Sequence, residues 1–349
     1  MKETPATIKA GASRPEISVV IPNLDGAHWL KTCLPSLSGY PPGLVEVIVA
    51  DDGSSDTSHE MTRSAAARFL AAPNARTGFA ATANRGIQAA TGTWIFLLNN
   101  DTEVAPGALT ELLAGAQRNP DASMIAPLVL SLRDRERIDS AGMLLFPDGT
   151  ARPRWHGQRS SDRTMGEEEV LMPSGAAAMI RRDAIERVGL LDESLVSYLE
   201  DIDLGLRIRR VGGRSIFVPT AVVFHHFSGT TGAMSPLKAR LIERNHITVA
   251  IRHLPGPLLL GLPFWTLARW SVLAVAVARA RGASSDDRHS PLAMVSAVLG
   301  GTAAGLMRTP QALSERRGLE RTTTVDAHQW RRLLRTHRAQ LRDYLHFGE

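Results

Sequence analysis

The sequence predicts an α/β chain built on a mostly parallel sheet flanked by helices, followed by a helical C-terminal region. Three observations carry this. Short apolar, β-branched runs alternate with helical patterns through the first half. Two of those runs end directly in acidic turns. Beyond about residue 255 the pattern is helical, apolar and basic.

The run 17–21 (ISVVI) reads as a buried strand, followed by a helix over 27–37. Residues 45–50 (VEVIVA) form a second strand that leads straight into 51–56 (DDGSSD). Helices are expected over 57–68 and 79–90, with a third buried strand over 93–98 ending at Asn99, Asn100 and Asp101. Pro106 opens the next helix, where proline is tolerated. Parallel strands need crossover connections, and ligands of such sheets bind beyond the carboxyl ends of the strands. Asp52 and Asp101 both fall at that edge. A turn or helix cap accounts for either acid alone, and for the pair less well.

Between residues 138 and 155, Phe146-Pro147-Asp148-Gly149 marks a turn between two strand-like runs, a hairpin expected near the site rim. The segment 172–180 joins small residues to an apolar run, and small residues let backbone approach a ligand. Residues 198–210 read as a helix with acids at its N-terminal end, where the helix dipole favours them. Residues 214–219 and 221–224 read as further strands, the second leading into His225 and His226. The largely apolar run 258–278, interrupted by Pro263 and Arg269, leaves three readings open: a membrane span, an interfacial helix, or a helix packed on the catalytic domain. Residues 279–290 read as a polar linker.

With 349 residues, 44% hydrophobic and 21% charged, the chain has enough apolar material for a sizeable core. Its single cysteine, Cys33, excludes an internal disulfide and reads as an apolar helix residue in a reducing compartment. Residues 1–15 are polar, lack the apolar core of a secretory signal, and are expected to be disordered. The formal charge is +5, and arginines crowd the stretch from Arg279 to Arg342. A basic region beside apolar helices suits an anionic membrane surface. No zinc-finger spacing or RNA-binding aromatic signature is present, so nucleic acid is not an expected partner. The first strand is followed by Pro22-Asn23-Leu24-Asp25-Gly26-Ala27 rather than a Gly-X-Gly-X-X-Gly turn, which argues against a dinucleotide-binding dehydrogenase.

Several segments, in order, resemble the family 2 glycosyltransferases: 19–23 (VVIPN), 49–56 (VADDGSSD), 78–86 (GFAATANRG), 97–102 (LLNNDT), 174–176 (SGA), 188–193 (VGLLDE), 198–204 (YLEDIDL), 223–225 (VFH) with Ser228 beyond, and Arg244 with Asn245. The resemblance spans roughly residues 16–255 and is greatest to the rhamnosyltransferase-like subgroup that builds bacterial cell-wall and surface polysaccharides. It implies a GT-A fold with a Rossmann-like sheet, and residues 256–349 as a helical, membrane-associated appendage. It also implies an inverting transfer from a nucleotide-diphosphate sugar, dTDP-rhamnose first and UDP-sugars next, to a saccharide or lipid-linked acceptor at the cytoplasmic face of the membrane. A sugar nucleotidyltransferase and an inactive membrane scaffold are the alternatives.

By resemblance, Asp52 reads the nucleotide base and Asp51 holds the turn. Pro22, Asn23, Arg76, Gly78, Asn84, Asn99 and Asn100 line the donor, and Arg85 is a further candidate for its phosphates. Asp101 and His225 hold a divalent cation, Mg2+ or Mn2+, against the diphosphate, with His226 the alternative if the register slips by one. Asn99 stands where the family's metal motif usually has its first acid. Asp201 is the catalytic base, Glu200 orients the acceptor or tunes that base, and Ser174 and Gly175 line the acceptor side.

Overall fold

The computed structural model describes residues 15–41, 43–65, 67–72, 76–226, 235–280 and 290–344. The expectations for residues 1–14, for Ser228 and for most of the 279–290 linker lie outside these residues. In chain order the elements are β1 (Ile17–Asn23), α1 (Ala27–Leu37), β2 (Val45–Asp51), α2 (Ser58–Ser64), β3 (Arg68–Leu70), α3 (Phe79–Ala89), β4 (Trp94–Leu98), β5 (Thr102–Val104) and α4 (Ala108–Arg118). Next come β6 (Ala122–Ser131), β7 (Ile138–Ser140), β8 (Met143–Leu145), β9 (Ala151–Pro153), β10 (Glu168–Glu169), β11 (Ala177–Arg181), α5 (Arg182–Val188), α6 (Glu200–Arg210) and β12 (Arg214–His225). The C-terminal helices are α7 (Pro236–His253), α8 (Gly256–Leu260), α9 (Leu262–Ala280), α10 (Pro291–Met307), α11 (Thr309–Thr322) and α12 (Ala327–Thr336).

The main sheet runs β10-β12-β6-β11-β4-β1-β2-β3, with β5 added to β12 and β7 to β6. Strands β3, β2, β1 and β4 are mutually parallel, as the alternation of strands and helices predicts. Beyond β4 the sheet is mixed, because β11 runs antiparallel to both β4 and β6 while β12 returns parallel to β6. Period-two alternation sends Ile17, Val19 and Ile21 of β1 to one face, against Leu30 and Leu34 of α1 and Leu109 of α4. Val20 faces the other way, with α3, α6 and α7. This sandwich leaves the carboxyl ends of β1, β2 and β4 open at one edge.

Several elements differ from the sequence expectation. The helix expected over 57–68 stops at Ser64, since Arg68 begins a short edge strand on β2. Two expected strands at 214–224 are one strand, β12, with a register shift between Val218 and Val222. Helix α4 begins at Ala108, after Gly107 in the left-handed region at φ 80°. The central strand β6 carries no period-two signal because it is buried on both faces.

The hairpin β8–β9 forms around the 146–149 turn, but it packs against α7 and α9. In α9, Pro263 sits in the first turn, and Arg269 is buried rather than lipid-facing. Arg269 donates to Asp148 at 2.6 Å and to Glu243 of α7 at 2.8 and 3.0 Å. A buried arginine survives only when paired in this way. Helix α10 lies against α7 so closely that a Cβ on Gly301 would come within 2.4 Å of the Arg240 carbonyl oxygen. Among the described residues no single helix is long and apolar enough to cross a membrane; one bent pair, Leu292–Met307 with Thr309–Thr322, passes by length and composition.

Candidate active site

At the carboxyl edge, Asn23 closes β1 as a buried hub. Its amide donates to Asp51 (3.0 Å), Ser54 (3.2 Å) and Ser58 (3.0 Å), and its oxygen accepts from Asn100 (2.8 Å). Asp51 accepts from the amides of Gly53 and Ser54 at 2.9 and 2.7 Å, so it holds the acidic turn. Asp52 accepts from the Thr77 amide (2.8 Å), the Thr77 hydroxyl (2.6 Å) and the Gly78 amide (2.9 Å). Burial would raise its pKa, but these donors outweigh burial and hold it below the usual carboxylate value.

Arg85 donates to the Asp51 carbonyl at 2.8 Å and lies 3.9 Å from Asp52. Arg76 is exposed, at φ 61°, and reaches Asp25 at 3.5 Å. Asn84 is buried on α3 and clamps Leu191 through both its amide and its oxygen. Pro22 is part of β1. Cys33 is buried, which pushes its thiol up to about 12 and leaves it inert.

Asp101 follows β4 and lies 3.3 Å from Nε2 of His225, at the end of β12. Nδ1 of the same imidazole lies 2.7 Å from Asp139. Burial lowers the pKa of His225, but the hydrogen bonds and charges of Asp101 and Asp139 dominate and push it up to about 10. Asn99 Oδ1 is buried with no hydrogen-bond partner among the described residues. His226 instead packs against Trp29, with ring centroids 4.4 Å apart and the planes tilted by 44°, and meets Arg133.

The second acidic group opens α6. Loop 194–199 carries Val196, Tyr198 and Leu199 at φ 65°, 69° and 70°, an uncommon conformation for bulky residues. It persists because Asn245 of α7 donates to the carbonyls of Leu195, Ser197 and Tyr198 at 2.9, 3.0 and 2.7 Å, while Arg244 and Arg308 grip Ser194 and Leu195. Asp201 accepts from the amides of Gly175 (2.9 Å) and Ile202 (2.8 Å). A Cβ on Gly175 would sit 2.6 Å from Asp201 Oδ2, so only glycine allows this approach. Glu200 is buried, and its Oε2 has no partner among the described residues. Burial first, then the Asp201 charge, push Glu200 up to about 8, and burial also raises Asp201. The pair therefore holds a proton near neutrality.

These groups form one circuit. The Asn99 amide donates to the Ala176 carbonyl, beside Gly175 and thus Asp201. Asn100 joins Asn23 and the acidic turn, Asp52 holds Gly78, and the Ala80 amide donates to Val196 in the loop before α6. Ser174 lies on the same segment as Gly175. The sequence reading gave no role to Asp139, and it named Asn245 only within a matching segment. Asn245 had the motif around it as a signal, whereas Asp139 sits in a short strand-like run with nothing to mark it.

The glycosyl transferase family 2 model matches residues 18–189. An N-acetylglucosaminyl-diphospho-decaprenol L-rhamnosyltransferase of Mycobacterium tuberculosis is 31% identical over 232 residues, covering 59% of this chain and 74% of the relative. A mannosyltransferase from Pyrobaculum calidifontis in complex with GDP-Man and Mn2+ shares the fold, with TM-score 0.53, 18% identity, and 91% and 89% of the two chains covered. GalNAc-T7 with UDP, GalNAc and Mn2+ gives TM-score 0.56 at 18% identity, over 70% of this chain and 49% of that one.

Proposed function

This chain belongs to glycosyl transferase family 2, is rhamnosyltransferase-like and is a glycosyltransferase, and on that premise we propose an inverting transfer of rhamnose from dTDP-rhamnose to a lipid-diphosphate-linked saccharide. The observation that carries the mechanism is the proton-holding pair Glu200 and Asp201, set against Asp51 and Asp52, whose carboxylates are held by backbone amides and hydroxyls. Asp201 is the base: its oxygens are oriented by the Gly175 and Ile202 amides, and it keeps partial exposure, whereas Glu200 is buried. It takes the proton of the acceptor hydroxyl as that oxygen attacks the anomeric carbon opposite the leaving diphosphate. Glu200 stays neutral beside it, so the pair does not place two charges in one buried spot.

The donor lies over the carboxyl edge of β1, β2 and β4, with the 22–23 and 76–78 segments and Asp52 at the nucleotide end. Asp101, His225 and Asn99, whose Oδ1 has no hydrogen-bond partner among the described residues, fit a divalent cation of the Mg2+ or Mn2+ type, a neutral amide replacing one of the usual charges. Among the described residues no group of three His, Cys, Asp or Glu side chains is placed to hold a metal ion, so in this reading the donor phosphates supply the remaining ligands. Such a cation supplies charge neutralisation to the departing diphosphate.

The acceptor reading rests on the name of the Mycobacterium relative and on two apolar stripes. Leu260, Phe264, Leu267 and Val275 of α8 and α9, and Leu292, Val295, Leu299 and Leu306 of α10, are exposed at helical spacing. Helix α10 carries no charged residue, while exposed arginines follow it on α11 and α12. This combination suits interfacial docking on the anionic cytoplasmic face of a membrane. Substituting Leu260, Phe264 and Leu299 together by serine is expected to lower sedimentation with phosphatidylglycerol vesicles at least fivefold; unchanged sedimentation sinks the membrane reading. For the chemistry, a panel of dTDP- and UDP-sugars is turned over with Mg2+ or Mn2+ present. Turnover of UDP-sugars alone would replace dTDP-rhamnose, and near-normal turnover in Asp101→Ala would remove that residue from the cation site.

A further inference from the structure

His225 is held from both ends, and its second partner comes from a strand with an irregular register. Strand β7 pairs antiparallel with β6 through Val129↔Ser140 and Leu130↔Ile138, so Asp139 is the extra residue of a β-bulge. Bulges bend a strand and re-aim a side chain, and they concentrate beside active sites. Here the bulged residue is a buried carboxylate whose Oδ2 lies 2.7 Å from His225 Nδ1. Its other neighbour is His156, whose Nδ1 lies 2.9 Å from the Asp139 carbonyl and 3.3 Å from Oδ1. His225 in turn sits on β12, where it pairs with Ser131 at the far end of β6. Three strands therefore fix one imidazole with Nε2 facing Asp101 at 3.3 Å.

We propose that Asp139 is a positioning residue for the cation site: it holds the Nδ1 proton of His225, so that a divalent cation shared with Asp101 displaces the Nε2 proton and takes that nitrogen as a ligand. This rests on the cation reading above. A carboxylate behind a metal-binding imidazole sets its tautomer and raises its basicity, and losing such a partner typically costs about 10–100-fold in metal affinity. Asparagine at 139 is nearly isosteric but carries no charge.

The test titrates Mn2+ into the full chain, with UDP and separately with dTDP present, and reads free Mn2+ by electron paramagnetic resonance. Asp139→Asn is expected to weaken Mn2+ binding about 10–100-fold, while His156→Asn, which leaves the Asp139–His225 contact in place, stays within about threefold of wild type. Wild-type affinity in a folded Asp139→Asn protein overturns the proposal and leaves the cation reading intact. A wild-type chain that takes up no Mn2+ overturns the cation reading, and the proposal with it. If Asp139→Asn does not fold, nitrogen-15 spectra of the wild-type histidines with Mg2+ and nucleotide decide: an Nδ1–H tautomer at His225 supports the proposal, and an Nε2–H tautomer overturns it.

Discussion

The two acidic regions of the site differ in how their carboxylates are satisfied. At the ends of β1 and β2, Asp51 and Asp52 are wrapped by backbone amides and hydroxyls, and Asp52 is held in its ionised form. At the start of α6, Glu200 is buried with an oxygen that finds no partner among the described residues, and both acids there are shifted upward. Equal chemistry in the side chain thus gives opposite protonation behaviour. The β1–β2 edge is built to hold a shape, whereas the α6 acids are shifted toward holding a proton, the behaviour the proposed base requires.

The widest gap between the regions should appear in Asp201→Asn. It is expected to lower kcat by about 10²–10⁴-fold, the range for losing a general base, with nucleotide affinity unchanged by calorimetry. Residual turnover above a tenth of wild type would move the base elsewhere. Next is Gly175→Ala, whose Cβ cannot coexist with Asp201 in its present place. Displacing the base by about 1 Å should cost about 10²-fold in kcat, and a normal kcat would show that the 2.9 Å amide contact does not position Asp201.

Glu200→Gln should change turnover less, within about tenfold, because a neutral acid is replaced by a neutral amide of similar shape. Its signature is pH dependence. The folded-state pKa of Glu200 lies near 8, above its ordinary carboxyl value, so the protonated residue's stabilising contribution is present at low pH and fades as pH rises toward 8. Urea melts should show the variant gaining on wild type between pH 5 and 8; parallel curves would refute the shift, and a 10³-fold loss of kcat would make Glu200 the base. Smallest on chemistry and plainest on stability is Asp52→Asn. It leaves the Gly78 amide without its carboxylate acceptor and should cost about 1–3 kcal/mol in denaturant melts. No measurable loss would mean that the 76–78 segment is pinned by other contacts.

Much of this site was legible because strand ends mark themselves. The runs before Asp51 and Asp101 are continuous and apolar, and a chain that must leave a buried parallel sheet does so at turn residues, so both acids could be placed at one edge. Asn23, Asn84 and Asn100 were legible as polar residues near that edge. Their contacts, which bind one segment to another, come from partners 28 to 109 residues away. The bulge at Asp139 was not legible, since a one-residue shift in pairing depends on what strand lies alongside.

The sequence by itself determined the alternation of strands and helices, the edge that carries Asp52 and Asp101, and a helix over 198–210 with acids at its start, which the structure begins two residues later at Glu200, because each follows from local periodicity and turn chemistry. Tertiary structure alone decided which acids are ionised, that Arg269 pairs with Asp148 and Glu243 inside the protein, and that Asp139 stands behind the His225 imidazole. Burial and pairing between distant segments set a group's charge and direction, and neither is encoded in its neighbours along the chain.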